Sequence, residues 1–209
     1  MKQAEERRPL PPVAVSRETE ERLAAFVALL RAWNRRINLI SARDVPMIEA
    51  RHLTDSLQLL PLLPAGEGAV VDLGSGAGFP GLVLAAAQPQ RPFHLVEADQ
   101  RKAAFLLTAA ARLGLPRLQV HAMRVEALPL AGMVALTARA FASLSAVLPH
   151  AARLLAPEGV AILPKGRSAE AELAAARADG WILHVERFIS RTDPHATILR
   201  LARPDRAGP

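Results

Sequence analysis

Apolar residues follow a helical period near the start of the chain. They fall three or four positions apart over the segment that begins after Ser16, a residue type that often caps helices. The apolar positions are Leu23, Phe26, Val27, Leu30 and Trp33. This pattern predicts an amphipathic helix that fades near residues 34–38. A second helix is predicted to begin at Asp44, and Pro61 and Pro64 end the helical region.

Beyond residue 65 the period changes, and short apolar runs alternate with helical segments. Strands are predicted at 68–72, 93–97, 118–121, 134–139 and 159–164, the last entered through a turn at 157–159. Helices are predicted at 80–87, 100–113, 126–128, 143–155 and 169–178. The runs 181–189 and 196–202 are expected to be final strands, one of them antiparallel. This alternation is typical of an α/β fold with a mostly parallel sheet.

The same pattern divides the chain into three parts. Residues 1–15 carry prolines and no apolar period, and we expect a flexible arm there. Residues 16–64 form the helical extension, and residues 65–209 form the α/β domain. At 209 residues and 51% hydrophobic, the chain is long enough to bury a sizeable core.

Composition narrows the function classes. There is no cysteine, which excludes a disulfide framework or a thiolate metal site, and we expect no metal. The N-terminal segment has no apolar signal core and no run is long enough to span a bilayer, so we expect a cytoplasmic protein without a membrane partner. A net charge of +6 favours a polyanionic partner.

The segment VVDLGSGAGFPG, residues 70–81, is the strongest candidate for a ligand site. It places three alternating glycines, Gly74, Gly76 and Gly78, between a buried strand and a helix. Glycine permits positive φ and close approach of a ligand to the backbone, and the helix start favours anionic or polar groups. With Glu97 after the next strand, the segment also satisfies the dinucleotide pattern, so an NAD enzyme is an alternative. Asp72, two residues before the first glycine, instead gives a register that resembles motif I of class I S-adenosylmethionine-dependent methyltransferases.

Further segments sharpen this resemblance. WNRRINLIS (33–41) and RHLTDSL (51–57), together with the glycine segment, resemble the RsmG (GidB) family of 16S rRNA guanine-N7 methyltransferases. VEADQRKAAFL, RVEAL, TARAFASL and PKG follow in that family's order and spacing. The resemblance covers roughly residues 20–200. It implies a Rossmann-like seven-stranded sheet, S-adenosylmethionine as cofactor, and a guanine in the 530 loop of 16S rRNA as target.

The resemblance also implies cofactor contacts at Gly74, Phe79, Val125, Glu126 and Arg139. All are expected at or just beyond the carboxyl ends of strands, where open α/β sheets bind ligands. Val125 and Glu126 suit an adenine wall, although Glu126 is also explained as an acid at a helix start. Arg139 suits a carboxylate or a phosphate, the alternative being an ion pair with Asp72 or Glu126.

By position, the acids of the first two strands and the glycines belong to the same cofactor site. Asp72 is expected to orient the turn or meet the methionine amino group, and Glu97 the ribose hydroxyls. Gly76 and Gly78 complete the turn with Gly74.

Guanine N7 carries a lone pair and no proton, so methyl transfer to it needs alignment and electrostatics rather than a general base. Lys165, Arg139 and His52 are the candidates for such catalytic roles. Lys165 would contact guanine O6 or a phosphate, since guanine presents O6 and N7 on one edge. The plainer interpretations are a surface lysine and a structural histidine on a helix face.

The basic helical extension supplies the candidate RNA contacts, Arg35, Arg36 and Arg51. Phosphate contacts of this kind give affinity and salt dependence without sequence choice, although a solvated face explains the arginines as well. Phe79 and Phe141 are candidates to stack on the target base or to pack in the core.

The expected partner is 16S rRNA, the small ribosomal subunit or its precursor, bound by a monomer. Alternatives are a methyltransferase acting on another substrate and a non-catalytic RNA-binding or assembly factor that keeps this fold.

Overall fold

Seven strands form the central sheet of the computed structural model, which describes residues 7–206. Its strands in chain order are β1 (Val70–Leu73), β2 (Phe93–Val96), β3 (Leu118–His121), β4 (Met133–Ala138), β5 (Leu155–Lys165), β7 (Val185–Ile189) and β8 (Thr197–Ala202). The short strand β6 (Trp181–Ile182) lies outside this sheet. The order across the sheet is β3-β2-β1-β4-β5-β8-β7, and β8 alone runs opposite to the other six strands. This confirms the predicted fold class, including one antiparallel final strand.

The chain leaves β1 toward β2 and β3 and returns on the other side of β1 with β4. The carboxyl ends of β1 and β4 therefore flank a point where the strand order reverses. Such a reversal opens a crevice, which is where open α/β sheets bind their ligands.

Six α-helices surround the sheet in the described part of the chain. They are α1 (Arg17–Asn34), α2 (Thr54–Leu57), α3 (Gly81–Ala87), α4 (Gln100–Arg112), α5 (Leu144–Leu154) and α6 (Ala169–Ala178). The Ser16 hydroxyl accepts a hydrogen bond from the Thr19 amide at 3.3 Å, so Ser16 is the cap that the sequence predicts.

The second predicted helix is broken. A 3₁₀ turn at Val45–Met47 and a π-helical turn at Ile48–Leu53 precede α2, and another 3₁₀ turn at Leu60–Leu62 follows it. Asp44 occupies the N-cap position of the first 3₁₀ turn, as predicted, but its side chain makes no capping hydrogen bond there, and its carboxylate accepts the Ser41 hydroxyl at 2.7 Å. A π-turn inside a helical segment re-aims the side chains that follow it, and such turns are frequent at functional sites.

Two strand predictions also need correction. β5 begins at Leu155, and the expected turn at 157–159 is an irregularity inside the strand, where the register against β4 shifts. A Cβ at Gly159 would lie 2.7 Å from the Met133 carbonyl oxygen, so the close strand approach requires glycine. The run 181–189 is split, since β6 pairs with β9 (Asp205–Arg206) outside the main sheet, with Arg206 over the Trp181 ring.

The expected flexible arm is wrong for residues 8–11, while residues 1–6 lie outside the described part. The Arg8 amide donates to the Arg187 carbonyl, and the Ile189 amide donates to the Arg8 carbonyl, both at 2.9 Å. Leu10 is buried, and the Arg191 guanidinium donates to the Leu10 and Pro11 carbonyls. The segment thus covers the outer edge of β7, whose backbone groups would otherwise lack partners.

The helical extension shares a hydrophobic core with the sheet. Phe26 of α1 is fully buried and meets Phe79 edge to face, with ring centroids 5.4 Å apart. Trp33 meets Phe105 of α4 in the same way at 5.7 Å. Burying a phenylalanine of this kind contributes about 2 kcal/mol. The division at residue 65 is therefore a division of the sequence and not of the core.

Candidate functional site

A cavity of about 1000 Å³ lies at the carboxyl ends of β1, β4 and β5. Five segments contribute to its walls: the turn after β1, the ends of β4 and β5, the helical extension, and the loop between β7 and β8. We call it the main cavity. It occupies the crevice that the sheet topology predicts for a ligand.

The three glycines of the turn all adopt positive φ, +65° at Gly74, +55° at Gly76 and +91° at Gly78. Gly74 and Gly76 line the main cavity. A Cβ at Gly76 would have only the Gly74 carbonyl oxygen within 4 Å, at 3.7 Å, so the backbone there is open to a ligand. Gly78 does not line the cavity. Its missing Cβ leaves room for Leu82 and Phe26, which makes it a packing residue.

Glu97 holds the glycine turn in place. Its carboxylate accepts the Gly76 amide and the Asp99 amide, both at 2.8 Å. Each oxygen accepts one of these bonds, and Glu97 itself does not line the main cavity, so the ribose contact stays a prediction.

Asp72 supports the turn from beneath. It is fully buried and accepts the Thr137 hydroxyl at 2.7 Å, while its other oxygen has no hydrogen-bond partner among residues 7–206. That second oxygen would lie 2.6 Å from a Cβ at Gly81, which places it under the start of α3. Burial raises the pKa of Asp72 to about 6, against the opposing hydrogen bond from Thr137. Asp72 does not line the main cavity, so the orienting role is favoured over direct contact with the methionine amino group.

Arg139, His52 and Phe79 form a cluster on the cavity wall. The Arg139 Nη1 lies 3.0 Å from His52 Nδ1, and its guanidinium lies over the Phe79 ring at 5.2 Å. His52 stacks on Phe79 with centroids 5.1 Å apart. Phe79 is thus enclosed by its neighbours, which supports core packing and leaves no free face for a base.

Arg139 forms its ion pair with Asp55, which is not among the candidates predicted from the sequence. Asp55 Oδ2 lies 3.6 Å from Arg139 Nη1, so neither expected partner, Asp72 or Glu126, forms this pair. Asp55 follows His52 by three residues in RHLTDSL, and this helical spacing on one face was the available signal.

His52 is held neutral. Burial, and then the positive charge of Arg139, lower the pKa of His52. Because Nδ1 accepts from Arg139, the proton is assigned to Nε2, which is buried and finds no hydrogen-bond partner within residues 7–206.

Lys165 lines the main cavity at the end of β5. Its Nζ donates to Glu172 Oε2 at 2.9 Å and to the Ala142 carbonyl at 3.1 Å. Burial raises the pKa of Glu172, but hydrogen bonds from Lys165, Ser168 and the Leu144 amide outweigh it and leave that pKa lowered. Lys165 is therefore a fixed cavity residue and not the free surface lysine of the plainer interpretation. Glu172, its partner, was missed by the sequence reasoning.

The remaining candidates lie in different places. Val125 is buried, and Glu126 pairs with His150 at 3.8 Å; neither lines the main cavity. Phe141 lines the cavity and is partly exposed, which keeps it available for stacking.

The three RNA-contact candidates are also separated. Arg51 reaches the main cavity and pairs with Asp44 at 3.6 Å. Arg35 and Arg36 flank a shallow depression at the end of α1.

Comparison with known proteins decides the family. The sequence model of GidB, described as rRNA small subunit methyltransferase G, matches residues 19–193. The chain belongs to the GidB family. A ribosomal RNA small subunit methyltransferase G from Rhodospirillum centenum is 53% identical over 188 residues, which cover 90% of this chain and 86% of that protein. A protein of the same name from Acidiphilium cryptum is 50% identical over 207 residues, covering 92% and 94%. Membership of GidB sets the NAD-enzyme alternative aside.

Solved structures confirm the fold of this GidB member. A putative S-adenosylmethionine-dependent methyltransferase from Methanococcus maripaludis aligns with a TM-score of 0.62 at 12% identity, covering 79% of this chain and 93% of that chain. M. jannaschii TYW2 in complex with AdoMet aligns with a TM-score of 0.56 at 14% identity, covering 83% and 80%. Separately, no helix within residues 7–206 has the length and hydropathy needed to cross a membrane.

Proposed function

We propose that this GidB member transfers a methyl group from S-adenosylmethionine to N7 of a guanine in the 530 loop of 16S rRNA. The observation that carries the proposal is the main cavity, where an open glycine turn faces the cationic side chains of Arg139 and Lys165. The relatives that share half of this sequence are named for methylation of small-subunit rRNA.

The glycine turn fits the cofactor. Gly76 leaves open backbone on the cavity side, Gly74 lines the cavity against Phe141, and Glu97, behind the turn, carries carboxylate oxygens that suit ribose hydroxyls. When bound, S-adenosylmethionine supplies an electrophilic methyl group on a sulfonium. Asp72 and Glu97 keep the turn in its open shape, and Val125 and Glu126 remain candidates for the adenine side.

On the substrate side, the chain has to orient guanine and exclude competing geometries. Guanine presents N7 and O6 as acceptors on one edge, and Lys165 and Arg139 are donors on the cavity wall. His52 is neutral and accepts from Arg139, so it fixes the direction of the guanidinium rather than removing a proton. A general base is not needed because N7 carries no proton.

RNA affinity is assigned to the cationic surface beside the cavity. Arg51 lies at the cavity and Arg35 and Arg36 lie on the same helical extension, where phosphate contacts would give salt-dependent binding. We further propose that the protein acts as a monomer in the cytoplasm, where its ribosomal substrate is assembled.

The direct test supplies radiolabelled S-adenosylmethionine together with naked 16S rRNA, precursor particles or mature small subunits. Label in RNA that is cleaved chemically at a 7-methylguanosine of the 530 loop supports the proposal. Gly74→Asp is the control, since its side chain would enter the space held by Phe141 and carry a negative charge into the turn. Label in protein, or no label with any RNA form, contradicts the proposal, and the second result favours a non-catalytic RNA-binding factor.

A further inference from the structure

A second cavity, of about 550 Å³, adjoins the main cavity on the far side of the turn after β5. We call it the side cavity. Gly166 and Thr197 line both cavities, so the two meet at that turn. Lys165 belongs to the main cavity, and Arg167, two residues later, belongs to the side cavity.

The side cavity is strongly cationic. Among residues 7–206, three arginines and a histidine line it with a single carboxylate: Arg7, Arg167, Arg187, His195 and Glu170. Arg187 is matched to Glu170, with its Nε donating to Oε1 at 2.8 Å. Arg167 is exposed and forms no ion pair with any residue in 7–206, and Arg7 donates only to the Pro194 carbonyl among the same residues. Within residues 7–206, the guanidinium groups of Arg7 and Arg167 therefore have no carboxylate partner and can bind an external anion.

The residues that line the side cavity also indicate which kind of anion it can bind. Among residues 7–206, those that line the side cavity include no phenylalanine or tryptophan, so it offers no large ring on which a base would stack. Arginine forks match phosphate oxygens geometrically. A site with cations and no stacking surface binds the sugar–phosphate backbone of a nucleic acid without selecting its base sequence.

We propose that the side cavity binds backbone phosphates of the RNA strand next to the nucleotide held in the main cavity. The inference rests on the proposed function for the identity of the polymer. A strand whose target nucleotide enters the main cavity would pass over Gly166 and place neighbouring phosphates beside Arg167 and Arg7. This contact lies apart from Arg35 and Arg36 of the helical extension and gives the strand a second point of attachment.

The test measures binding of a fluorescent 16S rRNA fragment containing the 530 loop over a series of KCl concentrations. Arg167→Gln and the double variant Arg7→Gln/Arg167→Gln are compared with Arg112→Gln, which removes the same charge from an exposed position of α4 outside both cavities. We expect Arg167→Gln to weaken binding roughly tenfold and to reduce the slope of log affinity against log salt by about 0.7 for each lost phosphate contact. The affinity for S-adenosylmethionine should stay at the parent value.

A slope and affinity equal to those of Arg112→Gln would overturn the proposal. So would competition by millimolar inorganic phosphate that depends on Arg167, because it would indicate a site for a free ion. If the parent protein binds RNA but transfers no methyl group, the proposed function fails, and the salt slopes still decide whether the side cavity holds RNA.

Discussion

Arg139 enters the main cavity between the Phe79 ring and the carboxylate of Asp55, with most of its guanidinium removed from water. Asp55 in turn accepts the Thr192 hydroxyl, so one carboxylate joins the helical extension, the end of β4 and the loop between β7 and β8. A residue placed in this way sets the position of the arginine without touching the substrate itself.

Asp55→Asn should lower the free energy of unfolding by about 1 to 2 kcal/mol, because a partly buried guanidinium loses its counter-charge while the hydrogen bond from Thr192 is retained. Urea unfolding of Asp55→Asn, Arg139→Gln and the double variant measures the coupling between the two side chains. If the losses in free energy of unfolding of the two single variants add up to that of the double variant, the pair contributes nothing to stability.

Asp72 makes a separate prediction about pH. Its folded pKa is about 6, above the value of an unfolded aspartate, so its contribution to stability is complete at acid pH and is lost as the pH rises through about 6. Asp72→Asn cannot titrate. The free energy of unfolding of the variant minus that of the parent should therefore rise by roughly 2 kcal/mol between pH 4 and pH 8. Parallel pH profiles from urea unfolding would rule this out.

At the scale of elements, the turn between β1 and α3 depends on glycine for two different reasons. Gly74 and Gly76 face the main cavity, while Gly78 faces Phe26 of α1. The same sequence pattern thus serves ligand access at its start and helix packing at its end.

Gly76→Ala should reduce the affinity for S-adenosylmethionine by roughly tenfold or more, because its methyl group enters open cavity space. Gly132→Ala is the matched control, since Gly132 also has positive φ, +75°, with nothing within 4 Å of its Cβ, and lies outside the cavity. Because both glycines have positive φ, the two variants should lose a similar amount of free energy of unfolding, measured with urea. If the affinity for S-adenosylmethionine, measured by calorimetry, falls equally in both variants, backbone strain alone explains the effect.

Elements with a clear period were predictable from the sequence, and those shaped by tertiary contacts were not. β1 to β4 and α4 follow apolar runs bounded by glycine, proline or a capping acid, and their bounds match within a few residues. The broken segment after Asp44 has the composition of a helix, and the long-range contacts that it makes through Asp55 and His52 with Arg139 are not visible in local sequence. The irregularity in β5 coincides with the predicted turn at 157–159, but local sequence does not reveal that the strand extends to Leu155 on the other side of it.

At the scale of the whole molecule, the docked segment at residues 8–11 protects the outer edge of the sheet. Removing residues 2–11 should lower the free energy of unfolding by about 2 kcal/mol or more, through the loss of buried Leu10 and of the backbone bonds of Arg8. The uncovered edge of β7 should also favour self-association.

Light scattering after size-exclusion chromatography and urea unfolding measure both effects. The matched control removes residues 2–6 only, which keeps the contacts of Arg8 and Leu10. A longer truncation that remains as stable and as monodisperse as this control would contradict the protective role.

The candidate site was predictable only in part, because it is assembled from distant parts of the chain. The predicted strand ends placed the glycine turn, Arg139 and Lys165 in one site, because the carboxyl ends of parallel strands lie at the same edge of a sheet. Asp55 and Glu172 were missed because each meets its partner through folding: Asp55 pairs with Arg139, just after β4, and Glu172 of α6 pairs with Lys165 of β5. The spacing of His52 and Asp55 places them on one helix face, but no spacing in the sequence marks the contact with Arg139 or that of Glu172 with Lys165.

The edge-on contact of Trp33 with Phe105 has a practical consequence. The chain contains two tryptophans and no tyrosine, so its ultraviolet emission comes from just two indoles. One senses the seam between α1 and α4, and the other, Trp181, senses the small carboxy-terminal ribbon beside Arg206. Replacing either indole by phenylalanine leaves the other as a single fluorescent probe of its own region, which allows the unfolding of the two regions to be followed separately without an attached dye.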